Sequence, residues 1–343
     1  MKAVVIHAPL DLRIEDVDIP AVGPHDVKVR IRAGGICGSD LHYYLHGGVN
    51  TARVQQPMIL GHEVAGEVME VGAEVTSLRH GDRVAVNPSQ PCGHCRCCLS
   101  GRPNTCLDMR FYGSAMRMPH IQGAFREVLV CSEAQAVPLP AALTLQKAAF
   151  AEPLAVCLHA VRQAGSLLGR RVLVTGTGPI GILAILAARQ AGAREVVATD
   201  IMDAPLALAR RIGADVALNT ASDPQVLACF GADGGYFDTV FEASGSAAAL
   251  AGALATTRPG GEVIKLGLGS EMTPPMNLLV TKEIKLQGTF RFYDEFDWAV
   301  DYLAAGTIDV SALLTEVVPF AAAVRAFDLA ADRTHAMKVQ LAF

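Results

Sequence analysis

Apolar and polar positions fall into two regimes along this chain. Up to about residue 150 the apolar residues come in short runs cut by glycine and proline. Val27-Lys-Val-Arg-Ile-Arg32 alternates apolar and charged, the pattern of a half-buried strand. Residues 64–71 and 83–87 read as further strands, with Gly72 and Gly81-Asp82 as turns. A mostly-β region with loops is expected here. From about Glu152 the texture changes. An Ala/Leu-rich helix over 153–163 precedes strands at 171–175, 195–200, 239–242, 262–266 and 283–286, with helical stretches between them. Such alternation implies a parallel sheet covered on both faces. After about Phe290 the pattern predicts one helix (294–305) and a short β piece (337–341). The expected fold class is α/β: a doubly wound parallel sheet over 151–290, with a mostly-β domain formed by 1–150 and the returning segment 291–343.

The first strand of the second regime runs into Gly176-Thr-Gly178-Pro179-Ile180-Gly181 and then an apolar helix. Gly176 permits the tight turn, Gly178 lets the backbone approach a pyrophosphate, and Gly181 allows close helix–strand packing. The helix start offers unpaired N–H groups and a positive dipole end to phosphates. Pro179 suits the first helical turn, where no N–H is lost. Asp200 closes the next strand and is placed to accept from an adenosine ribose diol. A carboxylate there repels a 2′-phosphate, and no Arg or Lys lies between Ile201 and Ala209. NAD is therefore expected over NADP.

Charge narrows the partners. Lys and Arg total 29 against 34 Asp and Glu, and this mildly acidic chain of 343 residues has no run of like charges. That argues against nucleic acid as a partner. A composition of 51% hydrophobic and 18% charged residues excludes a disordered chain. The longest apolar run, 179–188, stops at Arg189, short of the ~20 residues a spanning helix needs. The first residues carry too short an apolar run for a signal peptide, so a cytoplasmic protein is expected.

Five of the nine cysteines lie between positions 92 and 106. Such clustering points to metal. Cys92, Cys95, Cys98 and Cys106 are spaced to close a tetrahedral structural zinc site in a lobe over 88–108, with His94 and Cys97 as competing ligands. A second set is dispersed: Cys37, His62 and Glu63, with Glu152 at the junction of the two regimes. One thiolate, one imidazole and one carboxylate could hold a zinc and leave a position open. Spacing alone is weak support for this set, since single Cys, His or Glu residues are usually structural.

In Gly34-Gly-Ile-Cys-Gly-Ser-Asp-Leu-His-Tyr-Tyr44, Gly61-His-Glu63, Asn87-Pro-Ser, the four-cysteine lobe, Met109-Arg-Phe-Tyr-Gly-Ser-Ala-Met116, Ala151-Glu-Pro-Leu-Ala-Val156, the 176–181 turn and Phe290-Arg-Phe292, the chain resembles the medium-chain, zinc-dependent alcohol/polyol dehydrogenases, and among them the L-idonate 5-dehydrogenase branch. The resemblance spans essentially the whole chain. It implies a GroES-like catalytic domain beside a Rossmann NAD-binding domain. It implies a catalytic zinc on Cys37, His62 and Glu63, with Glu152 standing where the classical alcohol dehydrogenases carry cysteine. It implies a proton relay through Ser39 and His42, and Asp40 as the acid that orients the zinc histidine. Cys97 departs from the family's lobe. For a sugar acid, Arg110 and Arg117 are the expected carboxylate partners and His120 a lesser one; Arg291 matches a position that touches substrate or cofactor, and Tyr43 and Phe111 are expected to line the pocket. The expected substrate is a small sugar acid or polyol, and a homo-oligomer (dimer or tetramer) is expected by analogy. Sorbitol, xylitol or L-threonine oxidation, and a non-catalytic dinucleotide-binding protein, are the alternatives.

Overall fold

The computed structural model describes residues 1–269 and 271–343. The chain divides into two units, Met1–Glu152 with Phe296–Phe343, and Pro153–Glu295. Among the described residues no helix is long and apolar enough to cross a membrane.

The first unit is built on a seven-stranded sheet. Its central strand, Asp26–Gly35, is ten residues long and pairs antiparallel with three others: Glu63–Val71, Val128–Ser132 and Lys338–Ala342. Alternation of buried and open positions along Asp26–Gly35 matches the half-buried pattern read from sequence. Valine, isoleucine and phenylalanine side chains fill the space beneath, with Phe125 and Phe327 ring to ring at 6.3 Å. Two features depart from the sequence reading. The helix Gly38–His46 stands where the mostly-β reading expected strand and loop. The returning segment holds more than one helix and a β piece, adding the strand Leu314–Pro319 and the helix Ala323–Ala331. Short, glycine-flanked or half-exposed segments carry too few apolar positions for their period to show.

The second unit holds a six-stranded, all-parallel sheet. From edge to edge the strands are Val216–Asn219, Glu195–Asp200, Arg171–Thr175, Phe237–Glu242, Thr257–Lys265 and Lys285–Gly288. The order reverses between Arg171–Thr175 and Phe237–Glu242, and ligands of open α/β sheets bind outside the carboxyl ends at such a reversal. Val172, Leu173 and Val174 are fully buried, as two-sided cover demands. The last strand begins two residues later than its sequence pattern predicts. Glu283 instead caps the helix Met276–Lys282 in the left-handed region, at φ 51°.

Buried Glu295 accepts from His159 Nδ1 (3.1 Å), Arg162 Nη1 (2.9 Å) and the Tyr293 N–H (2.8 Å). Burial alone would raise its carboxyl; these donors hold it down at about 2. A depressed carboxylate adds stability above its unfolded pKa and loses it as pH falls through the folded one. The second unit is therefore expected to lose stability between about pH 4.5 and pH 2, and Glu295→Gln to flatten that slope, read by urea unfolding across the range.

Candidate active site and metal centres

Cys37, His62 and Glu63 come together within the first unit, their ligand atoms within 4.8 Å of one another. Each is placed by a different element. Cys37 is the N-cap of the helix Gly38–His46. His62 and Glu63 lie at the entry to Glu63–Val71, after Gly61, whose φ of +91° only glycine adopts easily. Asp40 binds these elements together: Oδ2 accepts from the Cys37 N–H and Oδ1 from the Gly61 N–H, both at 3.1 Å. Asp40 Oδ1 also stands 3.7 Å from His62 Nδ1, where it can steer the ring. Gly35 has no Cβ because one would overlap Glu63 Oε2.

Sequence reasoning missed Lys338. The last strand pairs with Asp26–Gly35 and delivers this lysine, only 4% exposed, to the site. Its Nζ donates to Glu63 Oε1 (2.7 Å) and to the Ile36 carbonyl (3.0 Å), and stands 2.6 Å from Glu63 Oε2. A lone lysine in an apolar strand 275 residues away carries no local signal.

The fit of this site to a cation rests on its charges. His62 Nδ1 and Glu63 Oε2 are buried without a hydrogen bond. Loss of water and then the charge of Glu63 push the Cys37 thiol up to about 12. Burial raises the Glu152 carboxyl to about 8 against the pull of His62. A divalent cation at the trio would favour the ionised forms of Cys37 and Glu152 and so reverse both shifts. Glu152 is buried and within electrostatic reach of all three residues, yet lies outside the cluster that shares one ion position. Phe111 covers the site, its ring 5.6 Å from that of His62.

On the helix Gly38–His46, Ser39 Oγ lies 3.5 Å from His62 Nε2 and His42 follows one turn later, exposed. Desolvation and the neighbouring His46 lower the His42 pKa, leaving the ring neutral near pH 7.

The other expected substrate contacts are placed differently. Tyr43 is a core side chain whose hydroxyl accepts from the Ala115 N–H. His120 is buried with both nitrogens committed, one to the Arg117 carbonyl and one to the Gln55 N–H. Arg117 is ion-paired with Asp108. Arg110 is exposed and, next to buried Phe111 in a two-residue strand, points to the opposite face. Arg291 belongs to the second unit, at φ 55° with its guanidinium 4.7 Å over the Phe290 ring.

The lobe resolves the ligand ambiguity. Cys92, Cys95, Cys98 and Cys106 share one ion position; Cys97 and His94 do not. Backbone N–H groups of Cys92, Cys95 and Asp108 point at the sulfurs at 3.3 Å. N–H groups of Cys98 and Leu107 hold the Cys95 thiol down at about 6, ready to ligate as thiolate. His94 Nδ1 is spent on the Cys92 carbonyl at 2.8 Å.

In the second unit, Gly176 sits at φ +83° against Ser244, and a Cβ on Gly181 would overlap the Gly176 carbonyl. Nothing lies within 4 Å of where a Gly178 Cβ would stand, leaving room for a pyrophosphate at the N-terminus of Pro179–Gln190. Pro179 and Ile180 open that helix. Asp200 Oδ2 accepts from Thr177 N–H (2.7 Å) and Oγ1 (3.1 Å), and Oδ1 from the Ile201 N–H (2.8 Å) and Met202 N–H (3.2 Å). It thus locks the glycine turn to the next strand. A second buried acid, Glu242, was not foreseen. It accepts from Ser244 N–H (2.8 Å), Gly245 N–H (2.9 Å) and Lys265 Nζ (2.7 Å), and so fixes the loop against which Gly176 packs.

Comparison with known proteins agrees with this geometry. The model of the alcohol dehydrogenase GroES-like domain matches residues 23–141, and that of the zinc-binding dehydrogenase matches 179–305. The chain belongs to the zinc-binding alcohol dehydrogenase family. It is 45% identical to the L-idonate 5-dehydrogenase (NAD(P)(+)) of Escherichia coli, over 92% of this chain and 91% of that protein. It is 37% identical to the sorbitol dehydrogenase of Macaca fascicularis, over 95% and 91%. The crystal structure of the E. coli L-idonate 5-dehydrogenase superposes with a TM-score of 0.94 at 42% identity, covering 100% of this chain and 98% of that one. The chain is thus a zinc- and NAD(P)-dependent dehydrogenase with the two-part fold expected of that family.

Cys98→Ser is expected to lower bound zinc from about two ions per chain to about one, and Cys97→Ser to leave it unchanged, by elemental analysis. Lys338→Met leaves the buried Glu63 charge uncompensated. Zinc-free protein carrying it should lose about 3–5 kcal/mol of stability, largely restored by zinc, in thermal unfolding with and without chelator.

Proposed function

We propose that this dehydrogenase oxidises the C5 hydroxyl of L-idonate to the ketone, giving 5-keto-D-gluconate, with NAD(P)+ as hydride acceptor and in either direction. The observation that carries this reading is the similarity to the E. coli L-idonate 5-dehydrogenase across nearly the whole chain. Cys37, His62 and Glu63 would hold the catalytic zinc, with Glu152 as a further acid at its edge; Cys92, Cys95, Cys98 and Cys106 would hold the structural one. Held by Cys37, His62 and Glu63, a zinc ion would supply Lewis acidity to the substrate hydroxyl, and a nicotinamide in the second unit would supply the hydride acceptor.

The remaining work falls to the protein. Ser39 Oγ would take the hydroxyl proton as it passes its own on through the cofactor ribose to His42, neutral and exposed one turn later, which releases it to solvent. Asp40 holds Cys37 and His62 in register. Phe111 excludes water beside the His62 ring. Gly176, Gly178, Pro179, Ile180 and Gly181 seat the pyrophosphate, and Asp200 disfavours a 2′-phosphate, so NAD is the preferred cofactor.

Sorbitol or xylitol is the second reading, favoured by the pairing of Arg117 with Asp108 and the outward turn of Arg110. We also place the enzyme in the cytoplasm, where the thiols of a metal-binding lobe stay reduced, and as a homo-oligomer. The edge strand Lys285–Gly288 supports the latter: it is exposed along its length.

NADH formation by the zinc-loaded enzyme tests the reading against L-idonate, sorbitol, xylitol, D-gluconate and L-threonine. L-Idonate is expected to show at least about a tenfold higher kcat/KM than the others, and NAD to outperform NADP. A preference for sorbitol or xylitol would replace the sugar acid and keep the zinc chemistry.

A further inference from the structure

We propose that His42 and His46 form a surface site for one divalent cation of the zinc or nickel type, separate from the trio and the lobe, and that its occupancy blocks the outward proton path. The inference rests on the relay role read for His42. Both histidines are exposed and stand four residues apart on the helix Gly38–His46, so they share a face. Their ring centroids are 5.8 Å apart, with the planes at 45°. Two imidazoles that each ligate one ion at about 2.1 Å place their ring centres on the order of 6 Å apart, a spacing these two rings already have. Imidazole is a favoured ligand for zinc, nickel and copper.

The local charge agrees. His46 closes the helix, whose carbonyl end attracts cations. Desolvation and then the neighbouring His46 lower the His42 pKa, so near neutral pH its ring is free of the proton a metal would have to displace. A neutral imidazole has one free lone pair, so an ion held by His42 leaves it none with which to take up the relayed proton. No contact with Cys37, His62 or Glu63 is involved.

The test adds zinc ion to enzyme already carrying its two zinc ions, with calorimetry for binding and NADH formation for rate. Wild type is expected to bind a third zinc and to lose most of its rate as it does so. His46→Gln should keep the basal rate, and its half-inhibiting zinc concentration should rise at least tenfold. Equal inhibition of wild type and His46→Gln, or no third binding event in wild type, would overturn the site. Binding that depends on His46 but leaves the rate unchanged would overturn the block, and with it the relay role of His42.

Discussion

A thiol, an imidazole and two carboxylic acids gathered out of water must be balanced by positive charge, and the first unit is arranged around that requirement. Without compensation the thiol of Cys37 and the carboxyl of Glu152 both resist ionising. The chain supplies part of the balance through Lys338, and a metal ion completes it. Lys338 reaches the site only because the last strand pairs with Asp26–Gly35, which also pairs with the strand carrying Glu63. The long return of the chain to its first unit is therefore tied to the chemistry of the metal centre. On the same central strand, a Cβ at Gly35 would overlap the Glu63 carboxylate.

The second unit solves a related problem with backbone dipoles. Its glycine turn must present N–H groups and an open surface to phosphates, which forbids side chains at Gly176 and Gly181 for steric reasons and leaves Gly178 open. Such a turn has few side chains of its own to hold it. Two buried acids on neighbouring strands do so instead. Asp200 grips Thr177, and Glu242 fixes the loop at Ser244 and Gly245. Asp200 thus serves the architecture of the cofactor turn through four donors from its own chain, a role beyond contact with a ribose.

Much of this was legible in the sequence, and what was not has physical reasons. The parallel sheet announced itself because fully buried strands such as Arg171–Thr175 are runs of β-branched and aliphatic residues between turn signals. The family resemblance, resting on motifs in order along the chain, agrees with the family models and the superposed relative. The four-cysteine lobe, with Cys98 ahead of its competitor Cys97, was readable from spacing, and the geometry groups the same four sulfurs. The helix Gly38–His46 escaped because it has only three buried positions. Lys338 and Glu242 escaped because a single charged residue in a strand has no signature until its partner is known. Tyr43 and His120 looked like pocket residues from their place in the chain; their polar atoms are instead consumed by backbone groups of neighbouring loops. Loop position is weak evidence for substrate contact, since loop residues also close the shell around a core.

The central claim is that one sulfur, one imidazole and one carboxylate hold a second zinc in the buried trio, beside the all-sulfur lobe. Zinc-edge X-ray absorption combined with a metal count tests it most directly. The account predicts about two zinc ions per chain, one with four sulfur neighbours and one with a single sulfur and nitrogen or oxygen neighbours. About one zinc per chain, surrounded by sulfur alone, would contradict it.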